Sequence, residues 1–386
     1  MKNRLYVLVA LFVAASMVLA ACGAATPTAA PATAAPATAA PAIAAPATAA
    51  PATETSAYTP PEGSKAPVPL AEGSQSTAPV AHKAGAKVKI IYMPPATEYN
   101  YYMAIGEGIK TVAARLGGIT TFMLAPESGT DISGQMTMLQ DVQNMGGVDA
   151  IIFHAHDENA SATLIKQLVD KGIAVIVVNS DIKKYPTQIN AVVGYNERGG
   201  TTMLGEYAAK MVNGKANVGV LEGLPGYDST ERIGGFLDAF KKYPDMKIIA
   251  SLPTAWNTET GNKAMMDMIQ AHPEINLVVC ANDYEAIGAA KAAESMGRKD
   301  ILIFGNDGDT TGMEQINAGE WVATVNTTPY VMGEVAMQVT MDVLNGKYPG
   351  GWTETTEIIT DKTNAISFLC HPENLYPLPS KLYACP

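Results

Sequence analysis

Residues 277–290, LVVCANDYEAIGAA, constrain the architecture more than any other stretch. An apolar run at 277–281 meets Asn282-Asp283, and Ala286, Ile287, Ala290 and Ala293 then recur at helical spacing. This is the pattern of a buried parallel strand, a short turn and a helix. The unit recurs along the chain. Strands are expected at 88–93, 119–124, 150–153, 174–178 and 191–194, and helices at 101–116, 133–145, 160–171 and 199–212. A second run places strands at 218–221, 248–251, 277–281, 301–304 and 322–325, with helices at 229–242, 260–271, 284–296, 311–318 and 331–344. Repeated βα units require parallel sheets covered by helices on both faces. The expected fold class is therefore α/β, as two doubly wound parallel-sheet lobes with a ligand cleft between them.

The chain of 386 residues, 47% hydrophobic, is long enough for two such domains. Its net charge of −11 and lack of a basic stripe argue against a nucleic-acid partner. Lys2 and Arg4 precede an apolar core at 5–19, as in a secretory signal. The end of that segment, Leu19-Ala20-Ala21-Cys22, resembles a bacterial lipobox. Residues 1–21 are then the signal peptide, and Cys22 is the lipidation site that tethers the protein to the bacterial cell membrane. The alternative is an uncleaved anchor, and both put the body outside the cytoplasm. Each buried lipid CH₂ contributes about 0.8 kcal/mol to anchoring. Pro31, Pro36, Pro41, Pro46 and Pro51 recur through an Ala/Pro/Thr run that cannot form a core. The whole of 22–85 reads as a lipid-anchored linker. At ~3.1 Å per residue, its Ala/Pro/Thr part extends on the order of 100 Å. Cys280 falls inside an apolar strand and reads as a buried free thiol, which leaves Cys370 and Cys385 as a candidate disulfide in an oxidising compartment.

Polar and aromatic residues gather where strands end. The first lobe has Thr97-Glu98-Tyr99-Asn100-Tyr101-Tyr102, His154-Ala155-His156-Asp157 and Asn179-Ser180-Asp181. The second has Gly226-Tyr227-Asp228, Trp256-Asn257, Asn282-Asp283 and Gly305-Asn306-Asp307-Gly308, with Arg232 nearby. Carboxylates, amides and a guanidinium bridge neighbouring hydroxyls, and flat aromatics cover C–H faces, so this set suits a polyol ring. Each residue also has a plainer role available: Trp256 as a packing anchor, Arg232 as a surface charge, Asp283 as a helix cap. His154 and His156 stand at alternate positions and point the same way, which raises a metal site. No third or fourth ligand is evident nearby, so hydrogen bonding is the better reading and no metal is expected. GxSxG, HExxH, Walker and GxGxxG motifs are absent from the sequence, and neither a cofactor nor catalysis is expected.

Several of these motifs together carry a resemblance: Tyr101-Tyr102, Gly199-Gly200, Arg232-Ile233-Gly234-Gly235-Phe236, Asn282-Asp283, Gly305-Asn306-Asp307-Gly308 and Ala323-Thr324-Val325 with Pro329 and Gly333. From about residue 87 to 364 the chain resembles a type I periplasmic binding protein of the ribose/galactose class, the sugar receptors of ABC importers. The resemblance implies a three-segment hinge, with crossings near Gly194, Thr327 and Ile358. The N-terminal lobe is then 86–194 plus 328–358, and the C-terminal lobe 195–327 plus 359–386. It implies closure on a monosaccharide, delivery to an ABC permease and a monomeric receptor. By position, the stacking aromatics fall on Tyr101, Tyr102 and Trp256, the guanidinium on Arg232, and the amide and carboxylate on Asn282 and Asp307. An Asp-Arg pair of ribose receptors becomes Asn179-Ser180 followed by Asp181, a Gln becomes Thr327, and a proline segment becomes His154-Ala155-His156. These departures bring His156, Asn179, Asp181 and Thr327 into the ligand set and leave another pentose, a hexose or a polyol open. The competing readings are a receptor for a nucleoside or furanosyl signal, which Tyr99 and Tyr227 would suit, and an extracytoplasmic α/β hydrolase.

Overall fold

The computed structural model describes residues 58–386 apart from residue 84. The expected signal segment, Cys22 and the Ala/Pro/Thr run lie outside those residues. The first βα run comprises β1 Val88–Met93, α1 Asn100–Leu116, β2 Ile119–Met123, α2 Ile132–Asn144, β3 Ala150–Phe153, α3 Glu158–Asp170, β4 Ala174–Val178 and β5 Ala191–Gly194. The second comprises α4 Glu197–Met211, β6 Lys215–Glu222, α5 Tyr227–Phe240, β7 Asp245–Pro253, α6 Thr258–Ala271, β8 Leu277–Cys280, α7 Asp283–Ser295, β9 Leu302–Asp307, α8 Thr310–Ala318 and β10 Ala323–Asn326. α9 Pro329–Leu344, β11 Trp352–Glu354, β12 Ile358–Asp361 and α10 Ile366–Leu369 follow.

The strands form two six-stranded sheets, ordered β11-β5-β4-β3-β1-β2 and β12-β10-β9-β8-β6-β7. Every residue of β3, β4, β5 and β8 is buried, as expected of strands covered on both faces. β12 pairs antiparallel with β10, so the second sheet is not wholly parallel. Chain order reverses at β1/β3 in one sheet and at β6/β8 in the other. Loops at the carboxyl ends of strands diverge there and leave a crevice. The segments after β1, β3, β6 and β8 are those in which polar and aromatic residues gather.

The chain passes between sheets three times: between β5 and α4, between β10 and α9, and between β11 and β12. α9 returns to pack on α1, and two glycines permit the close approach. A Cβ on Gly108 would meet the Tyr330 carbonyl oxygen at 2.0 Å, and one on Gly333 the Ile105 carbonyl oxygen at 2.0 Å. α2, α3, α4, α6, α7 and α8 each begin on an Asp or Asn whose side chain accepts a backbone N–H, typically contributing ~1 kcal/mol.

The end of the expected linker is a structural element. Residues 58–83 form a strap along the first lobe. The backbone of Val68 pairs antiparallel with Trp352 through bonds of 2.8 and 2.7 Å, and Ser64 bridges Thr355. The Gln75 side chain donates to the Asn190 carbonyl at 2.9 Å and accepts from the Gly351 N–H at 2.8 Å. Ala81 N–H reaches the Gly172 carbonyl at 2.8 Å. β11 is an edge strand whose outer N–H and C=O groups need partners, and the strap supplies them while Leu70 and Trp352 are buried. Backbone pairing asks little of side chains, so Pro/Gly/Ser-rich composition conceals it.

At the other end, Cys370 and Cys385 are disulfide-bonded, and the tail lies on α8, where the Ser380 N–H donates to Glu314 at 2.8 Å. Cys280 is a buried free thiol. No helix of the described residues is long and apolar enough to cross a membrane.

Candidate functional site

A cavity of about 960 Å³ lies between the strand ends of the two sheets. Its enclosed end is built from side chains that hold one another. The Tyr101 hydroxyl donates to Asn179 Oδ1 at 2.7 Å, and Asn179 Nδ2 donates to the Tyr102 hydroxyl at 3.1 Å. Asn179 has φ 58°, a left-handed conformation that Asn adopts more readily than most residues, and this turns its amide between the two phenols. The two tyrosine rings stand 5.3 Å apart and nearly perpendicular, at 87°.

The second lobe faces them with Arg232, Asp307, Asn282 and Trp256. Arg232 is 4% exposed; its Nη1 donates to Asp307 Oδ1 at 3.2 Å and to the Ala281 carbonyl at 3.3 Å. Its Nε has no hydrogen-bond partner among the described residues. The guanidinium lies 5.5 Å from the Trp256 ring centre, a cation–π contact that orients the indole. Asn282 caps α7 through Oδ1 on the Glu285 N–H and donates Nδ2 to the Trp256 carbonyl at 3.0 Å. Beneath it, burial raises Glu285 to about 8, and this carboxyl also accepts the Ala281 N–H at 2.9 Å.

Burial pushes Asp307 well above the usual carboxylate range, with Arg232 pulling the other way. Glu197, fully buried at the start of α4, is likewise held well above it by burial and by the charge of Asp228; Arg232 opposes both, with Nη2 3.8 Å away. One guanidinium therefore serves several carboxyl groups.

Contacts also cross the cleft. His154 Nε2 lies 3.2 Å from Asp228 Oδ2, and the imidazole Nδ1 is 3.0 Å from the Val178 carbonyl. Burial disfavours the imidazolium, but the charge and hydrogen bond of Asp228 outweigh it and hold His154 above its ordinary value. Asp228 is held low: burial raises it, and the same pairing outweighs that. The Tyr227 hydroxyl donates to Asp181 at 2.8 Å, and the Tyr284 hydroxyl accepts the Tyr101 N–H at 3.3 Å.

Of the residues expected from sequence, Tyr101, Tyr102, His156, Asn179, Arg232, Trp256, Asn282 and Asp307 line the cavity. Asp181 and Thr327 do not. Asp181 is turned to Tyr227, and the Thr327 hydroxyl lies 2.7 Å from the Tyr101 hydroxyl and 2.9 Å from the Asp307 carbonyl, so it braces two wall residues from behind. His156 Nε2 is 2.7 Å from the Pro95 carbonyl. Both nitrogens of His154 and the Nε2 of His156 thus have protein partners. Asp283 is a brace, not the cap: it accepts the Gly308 and Asp309 N–H groups at 2.9 and 3.0 Å and the Thr324 hydroxyl at 2.6 Å. His154, Asp228 and Glu197 are not in the ligand set expected from sequence, although the first two stand in the strand-end clusters. Strap residues 72–74, which form part of the wall, are also absent from that set.

A family profile described as periplasmic binding protein domain matches residues 90–348. The ribose import binding protein of Bacillus subtilis is 28% identical over 249 residues, covering 64% of this chain and 78% of that protein. Its Escherichia coli counterpart is 25% identical over 279 residues, covering 71% and 92%. The crystal structure of an ABC transporter periplasmic solute binding protein from Actinobacillus succinogenes with bound D-allose superposes with a TM-score of 0.68 at 25% identity, covering 73% of this chain and all of that one. The relatives named are binding proteins, and the hydrolase alternative has no counterpart among them. With two doubly wound lobes, three crossings and a profile match spanning most of its length, the chain belongs to the periplasmic binding protein family, in its type I fold.

Proposed function

We propose that this protein is an extracytoplasmic, lipid-anchored receptor that holds a monosaccharide ring between its lobes and hands it to an ABC permease. The observation that carries the reading is the convergence of Arg232, Asp307, Asn282 and Asn179 with Tyr101, Tyr102 and Trp256 at the enclosed end of one interlobe cavity. Amide, carboxylate and guanidinium groups match vicinal hydroxyls, and the aromatic faces match C–H faces. The names of the ribose import relatives and the allose-bound neighbour support the same ligand class. Asn179-Ser180, where ribose receptors carry Asp-Arg, favours a sugar other than ribose.

Ligand touching both lobes favours the closed arrangement, because only there are both sets of contacts made. His154–Asp228 and Asp181–Tyr227 are the contacts that closure would form. The sequence at Cys22 supports the lipid tether, and the receptor acts as a monomer. A thermal-shift screen of the full chain against pentoses, hexoses, polyols and nucleosides tests the proposal. Binding to the native state alone raises Tm by an amount set by RT ln(1 + [L]/Kd). A rise with one sugar supports it; a rise with a nucleoside alone overturns it.

A further inference from the structure

The cavity exceeds what one sugar ring fills. A hexose displaces on the order of six waters, roughly 180 Å³ at ~30 Å³ each, whereas the cavity measures about 960 Å³. The groups suited to a ring stand at the enclosed end and are bonded into one network through Asn179, Thr327 and Asp307. Another part of the wall has a separate origin. It comprises strap residues 72–74, loop residues 184–186 and the start of α3, faced by residues 224–227 of the second lobe. These first-lobe pieces are bonded to one another: Ser74 Oγ donates to the Tyr185 carbonyl at 3.0 Å, and the Tyr185 hydroxyl lies 3.3 Å from Ser161 Oγ on α3.

This outer wall is preformed. The strap is fixed before the 72–74 turn by the Ala71 N–H on the Lys183 carbonyl at 2.8 Å, and after it by Gln75 on Asn190 and Gly351. Pro186, Pro225 and Tyr227 offer flat apolar faces. Among the described residues, the exposed side chains of Glu72, Lys184 and Asn159 reach the rim with no hydrogen-bond or ion partner of their own. Flat faces edged by free donors and acceptors are again the chemistry of a sugar ring. The strap lies outside the residues matched to the family profile, whereas the rest of this wall lies within them.

We propose that the strap builds a second subsite, and that the cargo is a disaccharide-sized glycoside with one ring at the enclosed end and the other against residues 72–74 and 184–186. The proposal rests on the reading that the enclosed end holds a sugar ring. Isothermal titration of the full chain with maltose, cellobiose, lactose, gentiobiose and melibiose, each beside its component monosaccharides, tests it. A disaccharide should bind at least about tenfold tighter than either of its components. Glu72→Ala with Lys184→Ala, both on exposed side chains, should remove about tenfold of that affinity, the loss expected for hydrogen bonds to charged groups, while monosaccharide affinity and Tm stay unchanged. Monosaccharide binding that no disaccharide improves, or a double variant that leaves the ratio unaltered, would overturn the subsite and leave the receptor reading intact. Binding of neither class would overturn both.

Discussion

The ion pair between His154 and Asp228 joins the lobes, so it contributes to ligand affinity only through closure. Its atoms are 3.2 Å apart and its side chains 8% and 17% exposed. That burial places it between an exposed pair, worth ~1 kcal/mol or less, and a buried one, whose rupture costs about 3–5 kcal/mol. A coupling of about 2 kcal/mol, roughly thirtyfold in Kd, is expected. The groups facing the pair are Glu158 on α3, Glu197 on α4, Arg232 on α5 and the Tyr102 ring, 5.1 Å from the imidazole.

The sign follows from the two shifts. His154 is held above its ordinary 6.5, so the stabilisation is fully present below that value and is lost as pH rises through the raised one. Asp228 is held below its ordinary 3.8, so the stabilisation is present above that value and is lost as pH falls through the lowered one. Affinity should therefore hold a plateau between these limits and decline on the alkaline side. Titration calorimetry from about pH 5 to 9 on the parent, His154→Gln, Asp228→Asn and the double variant measures both quantities. The alkaline decline should vanish in His154→Gln, and the cycle should give a coupling near 2 kcal/mol on the plateau. An unchanged alkaline limb in His154→Gln, or a coupling of zero, would refute a role for this ion pair in closure.

Other predictions concern ligand affinity and stability. Trp256→Ala should weaken sugar binding by about 1–3 kcal/mol with Tm nearly unchanged, since a stacking face is lost from a half-buried residue; unaltered affinity would make Trp256 a packing residue only. Asp283→Ala should destabilise the fold by about 2–4 kcal/mol in denaturant unfolding, because the Gly308 and Asp309 N–H groups lose their buried acceptor. Burial raises Asp283 to about 7 and Glu285 to about 8, so the native state binds more protons than the unfolded one and stability should fall as pH climbs from the ordinary carboxylate range toward 8. A Tm that is flat or rising over that interval would contradict it. Peptide mapping of unreduced protein should label Cys280 but neither Cys370 nor Cys385.

The sheets were legible in the sequence because strands buried on both faces read as continuous apolar runs bounded by polar turns. The three-residue β11, Trp-Thr-Glu, has no period to read, and neither it nor β12 was anticipated. The strap escaped for a related reason: it is held mainly by backbone bonds to an edge strand, and its side chains carry little trace of that. In the site, strand-end position located the wall residues but not the direction of every side chain. Asp181 is two residues from Asn179 yet turns to Tyr227, and Thr327 reaches the site only through the groups it supports. Glu197 was invisible because an acid in the first turn of a helix ordinarily reads as a response to the helix dipole. Only the packing of α4 against Arg232 shows it to be buried beside a guanidinium.

The most direct test of the account is a crystal structure of the full chain with the sugar that the thermal-shift screen selects. The account expects one ring beside Tyr101, Tyr102 and Trp256, with Arg232, Asp307 and an amide of Asn179 or Asn282 within hydrogen-bond distance of its hydroxyls. A sugar bound elsewhere, or one that touches a single lobe and leaves Arg232 without a ligand contact, would contradict it.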